Sequence, residues 1–182
     1  MAYFYFDSRD IDKQSRRGLL SSLLIQLSAH SDPFCDILFR VYVAHDRGKH
    51  MPSGNTLRQC LKEMLTLPGH GPVYIIMDAL NECPNISGIP TAREQVLDLI
   101  KELVSLRLSS LRLCVTSRPE FDIRVTLESL ASHGISLHDQ IGQQRDIADY
   151  IRSVVYSSST MGWSEADEEY IIEALSERAN GM

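Results

Sequence analysis

The chain has 182 residues, 43% hydrophobic and 23% charged, which is enough to bury a core and unlike the composition of a disordered chain. Its formal charge is −6, and its densest basic cluster is only Lys13, Arg16 and Arg17, too small for a phosphate-backbone track, which argues against a nucleic-acid partner. Cys35, Cys60, Cys83 and Cys114 form no CxxC pair and no histidine stands at ligand spacing, which argues against a zinc site.

Isolated cysteines of this kind read as small core residues in a reducing compartment, so a cytoplasmic location is expected. No secretory signal is visible at the N-terminus, so the glycosylation match Asn85-Ile86-Ser87 is taken as chance. No apolar run approaches the ~18 residues of a membrane helix, so no membrane partner is expected.

In chain order, Ala2–Phe6 is a short aromatic run ended by Asp7 and reads as a buried strand. Gln14–Ser28 follows with Leu19, Leu20, Leu23, Leu24 and Leu27 at helical spacing. Ser31, Asp32 and Pro33 break that pattern. A short helix is expected from Phe34 to Val43, then a loop through Gly48 and Pro52. Asn55 is the expected N-cap of a helix through Leu67, which Pro68, Gly69, Gly71 and Pro72 end.

Val73–Met77 (VYIIM) is a dense apolar run and reads as a central parallel strand. Thr91 caps a helix from Ala92 to Leu106, with Val96, Leu97, Leu99, Ile100, Leu103 and Val104 as its apolar stripe. Leu111–Val115 is a further strand, Asp122–Ala131 a helical segment, and Ile135–Leu137 one more short strand. Asp146–Tyr156 places Ile147, Tyr150, Ile151, Val154 and Val155 on one helix face, followed by a polar break at Ser157–Thr160. Ser164 caps Glu165–Ala179, and Asn180-Gly181 is a stop signal. This order predicts an α/β fold with a largely parallel sheet flanked by helices over residues 1–140, and a helical extension over 141–182.

Two segments could carry chemistry. In Val73–Cys83 an apolar strand delivers Asp78 at its C-terminal end, the edge where parallel sheets place ligands, and Glu82 follows on the turn. A carboxylate there suits a hard cation held through water, and a second acid can position or deprotonate an attacking water. Asp is also a common turn residue after a buried strand, and on pattern alone both readings stand. In Leu111–Glu120 a second strand ends in Thr116, Ser117 and Arg118, where an Arg can bind a phosphate through charge-assisted hydrogen bonds. A surface Arg before a Pro turn is the plainer alternative.

Together, Asp78-Ala79-Leu80-Asn81-Glu82-Cys83 and Thr116-Ser117-Arg118-Pro119-Glu120 resemble the NACHT family of signal-transducing, STAND-class P-loop NTPases. The likeness is to the fungal type with a nephrocystin-3-like N-terminal domain. The opening Tyr3-Phe4-Tyr5-Phe6-Asp7, Gln14-Ser15 and Leu19–Leu27 look like that family's second strand and helix, and Ala179-Asn180-Gly181-Met182 like the start of a following Gly-Met-Phe element. The resemblance implies Mg²⁺ and ATP or GTP as cofactors, with Asp78 as the Mg²⁺-holding Walker B residue. It makes Glu82 the water-activating acid, Arg118 the sensor and catalytic partner, and Thr116, Ser117 and Arg118 the cofactor-binding edge. Self-association, or association with other NACHT-type proteins, is the partnering it implies.

Two departures matter. Asn81 stands where the family usually has Asp, and an amide accepts a hydrogen bond but takes no proton; the alternative is a tolerated variant. No G-x-x-x-x-G-K-[ST] loop is present, Gly48-Lys49-His50 being the nearest Gly-Lys. In the family that loop and its strand precede the Tyr3–Phe6 strand. Their strand lies between those corresponding here to Leu111–Val115 and Ile135–Leu137. The expectation is therefore a nucleotide-binding domain without its first strand, not catalytically competent as this chain, with a non-enzymatic interaction module as the alternative. An unrelated hydrolase has no support, since neither G-x-S-x-G nor H-E-x-x-H occurs.

Overall fold

The computed structural model describes residues 1–86, 90–136, 141–157 and 163–178. The chain divides into two compact units, Met1–Ala131 and Ser132–Met182.

The first unit is a mixed α/β structure. Its strands β1 (Ala2–Tyr5), β2 (Val73–Asp78) and β3 (Leu111–Val115) form one parallel sheet in the order β1-β2-β3. The register pairs Phe4 with Met77, Tyr5 with Asp78, and Met77 with Val115, so the three C-terminal ends lie along one edge. Helices α1 (Arg16–Ser28), α2 (Asp32–Ala44), α3 (Gly54–Thr66), α4 (Ala92–Ser105) and α5 (Phe121–Glu128) complete the unit.

Strand periodicity sorts the side chains. Ala2, Phe4, Phe6, Val73, Ile75 and Met77 are buried on one face, while Tyr3, Tyr5 and Tyr74 on the other are about half exposed (56%, 46% and 50%). The expected leucines of α1 all enter the core, and α1 packs against β1, α2, α3 and α4. Removing this apolar surface from water is the main force holding the unit together.

The two sheet edges differ. On the outer side of β1, Gln26 of α1 accepts from the Tyr3 amide (3.0 Å) and donates to its carbonyl (2.7 Å), replacing a neighbouring strand. Among the described residues no strand pairs with the outer side of β3. The expected strand at Ile135–Leu137 is not seen in its described part. Ile135 and Ser136 are in no ladder, and Leu137 lies outside the described residues.

Capping chemistry sets several helix starts. Ser15 accepts from the Gly18 amide, so α1 begins at Arg16 rather than at Gln14. At Gly18 an added Cβ would overlap the Asp12 carbonyl, and only glycine admits that approach. Pro33 does not keep α2 from starting at Asp32, because the first helical turn tolerates a missing N–H. Ser53, not Asn55, caps α3 by accepting from the Thr56 amide, since its extended backbone aims the hydroxyl at the free donors. Thr91 and Glu94 form a full capping box at the start of α4.

The second unit contains α6 (Ile141–Ser157) and α7 (Glu165–Arg178), packed on each other. Ser164 caps α7 by accepting from the Asp167 amide (3.3 Å), while Asp167 accepts from the Ser164 amide (3.2 Å). The expected apolar face of α6 is only partly buried. Val155 is enclosed, but Tyr150 (70%) and Val154 (43%) remain exposed. Ser157 belongs to α6 rather than to the break after it, and the rest of that break, with Asn180-Gly181, lies outside the described residues.

Candidate functional site

The parallel register brings the ends of β1, β2 and β3 together, and hydrogen bonds between the turns after them fix their spacing. The Thr116 hydroxyl donates to the Asp78 carboxylate and accepts from the Ala79 amide (3.1 Å). The Thr116 carbonyl accepts from the Leu80 amide (3.0 Å), and the Thr116 amide donates to the Met77 carbonyl (2.9 Å). From the other side the Phe6 amide donates to the Asp78 carbonyl (3.0 Å). Ala79 is left-handed (φ 54, ψ 45), a costly conformation for a residue with a Cβ. It reverses the chain immediately after Asp78 into the 3-10 turn Leu80–Glu82. Leu80 plugs the core beneath that turn and is fully buried.

Asn81 ties the second turn to the third. Its amide oxygen accepts from the Arg118 backbone N–H (3.1 Å), and its amide nitrogen donates to Glu82 (3.3 Å). An Asp at this position could do the first but not the second. The next residue, Cys83, is buried, donates to the Gln14 carbonyl (3.5 Å), and has its thiol pushed up to about 11 by that burial.

Three of the sequence-predicted residues, Asp78, Glu82 and Thr116, are thus joined or adjacent through these turns, and Ser117 and Arg118 extend from the third strand end. Arg118 is tied by its backbone, and its side chain is exposed. The Ser117 hydroxyl donates to the Arg118 carbonyl (2.8 Å), shaping the turn.

Two residues escaped the sequence reading. Arg9, after β1, binds Asp7 through its backbone N–H (2.9 Å) and its guanidinium (3.0 and 3.2 Å). These bonds, side chain first, hold the Asp7 carboxyl at about 2. The Arg9 guanidinium is raised above its ordinary value, chiefly by its hydrogen bond to the Asp7 carboxylate. The other residue is Arg93 of α4, 5% exposed. It donates to the Cys83 carbonyl (2.9 Å), the Asn81 carbonyl (2.7 Å), Glu120, and both oxygens of Asp122 (3.4 Å). Its spacing gave a signal: Arg93 precedes Val96, Leu97 and Ile100 by three, four and seven residues, on the buried stripe.

Among the described residues, no group of three or more His, Cys, Asp or Glu side chains can hold a metal ion by itself. The only hydrogen bond to the Asp78 carboxylate among these residues reaches Oδ1, which leaves Oδ2 as an oxygen donor at the end of β2. That set fits a hard, largely hydrated cation shared with another oxygen ligand, and does not fit a self-contained protein cage. A separate apolar groove of about 480 Å³ lies between α2 and the following loop, lined by Phe39, Tyr42 and Met51 among others. It contains no residue of the strand-end site and no carboxylate.

The family model for the nephrocystin 3 N-terminal region matches residues 1–118. The chain belongs to that family. The match takes in all three strands, α1 to α4, and the turns carrying Asp78, Glu82 and Thr116–Arg118, so the nephrocystin 3 N-terminal region coincides with the strand-end site. No curated protein and no solved structure matches the chain. No helix of the described residues is long and apolar enough to cross a membrane.

Proposed function

We propose that this chain is the metal and sensor side of a NACHT-type P-loop nucleotide-binding domain of a signal-transducing NTPase, of the fungal type. The observation that carries this reading is the parallel order β1-β2-β3. It sets Asp78 at the end of the middle strand and Thr116-Ser117-Arg118 at the end of its neighbour, joined by the Thr116–Asp78 hydrogen bond.

In this reading Asp78 holds Mg²⁺, mostly through water, and Glu82 orients or deprotonates the attacking water. Arg118, with Thr116 and Ser117, meets the terminal phosphate of ATP or GTP. The cation, when bound, neutralises charge on the phosphate oxygens. The unpaired side of β3 is where the strand feeding a phosphate-binding loop belongs. Without that loop the backbone N–H groups that cradle the phosphates are missing, and this chain binds nucleotide very weakly and does not hydrolyse it. Isothermal titration of Mg·ATP into the purified monomer tests this. The expected outcome is no binding in the micromolar range, and micromolar binding would overturn it.

One observation favours a second reading, a non-enzymatic interaction module. Tyr3, Tyr5 and Tyr74 are half-exposed aromatics on one face of β1 and β2, and among the described residues no strand pairs with the outer side of β3. Such surfaces are common where proteins associate, with copies of themselves or with related chains. Sedimentation separates the two readings. A stable, soluble monomer or defined oligomer supports the module, and concentration-dependent aggregation supports an incomplete nucleotide domain.

A further inference from the structure

We propose that Arg93 is a positioning residue that joins the Glu82 turn and the Arg118 loop into one body, so that displacement of either is passed to the other. Its functional consequence rests on the nucleotide-site reading, whereas the coupling itself rests on geometry. The guanidinium is buried, and a buried charge persists only where its donors are matched by acceptors. Its donors are divided between the two turns. Nε and Nη2 take the carbonyls of Cys83 (2.9 Å) and Asn81 (2.7 Å), the residues on either side of Glu82. Nη1 takes Glu120 and Asp122 (3.4 Å), which follow Arg118 by two and four residues.

The guanidinium is planar, so its two ends cannot move independently. Shifting the Glu120 side rotates the plane against the carbonyls that frame Glu82. The Asn81 side chain adds a second link, its oxygen accepting from the Arg118 amide at 3.1 Å. The residue expected to activate water and the residue expected to meet the phosphate are therefore connected through protein as well as through any ligand. A lysine at position 93 has no such fork and would serve one turn or the other.

Hydrogen exchange by mass spectrometry on the full chain tests the coupling without any ligand. The decisive variant is Glu120→Gln/Asp122→Asn, which leaves Arg93 and its bonds to the Asn81 and Cys83 carbonyls in place. The expected result is faster exchange, by about tenfold or more, both in residues 116–122 and across the guanidinium in residues 79–83, which exclude the direct Asn85–Asp122 bond (3.2 Å). Residues 19–28 and 57–65 should stay unchanged. Arg93→Gln should loosen the same two segments, and Arg93→Lys should restore protection to at most one. Loosening confined to 116–122 in the acid-pair variant, or uniform loosening of the whole unit, would overturn the coupling. Should Arg93→Gln fail to fold, the acid-pair variant decides alone. None of these arms uses nucleotide, so a failure of Mg·ATP binding in an otherwise complete domain would overturn the nucleotide reading and leave the coupling standing.

Discussion

The hydroxyl of Thr116 donates to the carboxylate of Asp78 across 38 residues of sequence, and accepts from the amide of Ala79 at 3.1 Å. One side chain therefore fixes both the acid and the left-handed residue after it. Thr116→Val keeps the shape and removes both bonds. The expected loss is about 1–2 kcal/mol in urea unfolding, while Thr116→Ser stays close to the parent. Equal losses for the two variants would contradict the assigned role of the hydroxyl.

Asn81→Asp restores the residue that the NACHT resemblance leads one to expect. It keeps the acceptor for the Arg118 amide but replaces the 3.3 Å contact with Glu82 by a meeting of two carboxylates. The expected cost in this chain is roughly 0.5–1 kcal/mol, because the pair is close to solvent and partly screened. Chemical denaturation at low and high salt checks it: the loss should shrink as salt rises. A salt-independent loss, or a gain at low salt, would show that Asn81 does not act through its amide donor.

The strands and most helices were legible because each carries a strong local signal. Ala2–Tyr5, Val73–Asp78 and Leu111–Val115 are short apolar runs with clear stops, and α1 and α4 carry periodic stripes. Finer features depended on geometry that sequence does not carry. Whether Ser53 or Asn55 caps α3 turns on which side chain meets a free amide. Periodicity places five apolar residues on one face of α6, but how much of that face is buried depends on packing, which encloses Val155 and leaves Tyr150 exposed. At the site, Asp78 and Thr116 were found from their places at strand ends. Asn81 as a tie between turns was not, since a residue's hydrogen-bond partner 37 positions away has no local signature. Arg93 did leave a trace, a charge on an apolar stripe. Periodicity analysis passes over such residues because it counts only apolar ones.

Gly18 is a glycine by necessity. Gly18→Ala forces the added methyl into the Asp12 carbonyl, so the turn before α1 must shift. The expected loss is about 1–3 kcal/mol in thermal or urea unfolding, even though alanine favours helices. A stabilised variant would contradict the close approach.

The thiols divide into two classes. Cys35 and Cys114 are exposed, whereas Cys60 and Cys83 are buried, and that burial raises both to about 11 from an ordinary value of 9.0. A thiol reagent at neutral pH should label the first pair rapidly and the second only on unfolding. The unfolded chain releases these two protons near pH 9 and the folded chain near 11. The stability they confer is therefore complete below pH 9 and lost as pH rises from 9 towards 11. Urea midpoints across that window, compared with Cys60→Ala and Cys83→Ala, measure it. Midpoints that stay flat in the parent would contradict the assignment.

The nucleotide reading is tested most directly by titrating Mg·ATP into a form of this chain carrying, ahead of Met1, a strand, a Gly-rich Lys-Ser/Thr loop and a helix. The strand is to pair with the open side of β3. The expected result is micromolar binding that weakens at least about tenfold on Asp78→Asn, with the unextended chain giving no comparable heat. Binding by the extended chain that Asp78→Asn leaves unchanged would contradict the role given to the strand-end carboxylate, and with it the reading of this edge as a nucleotide site.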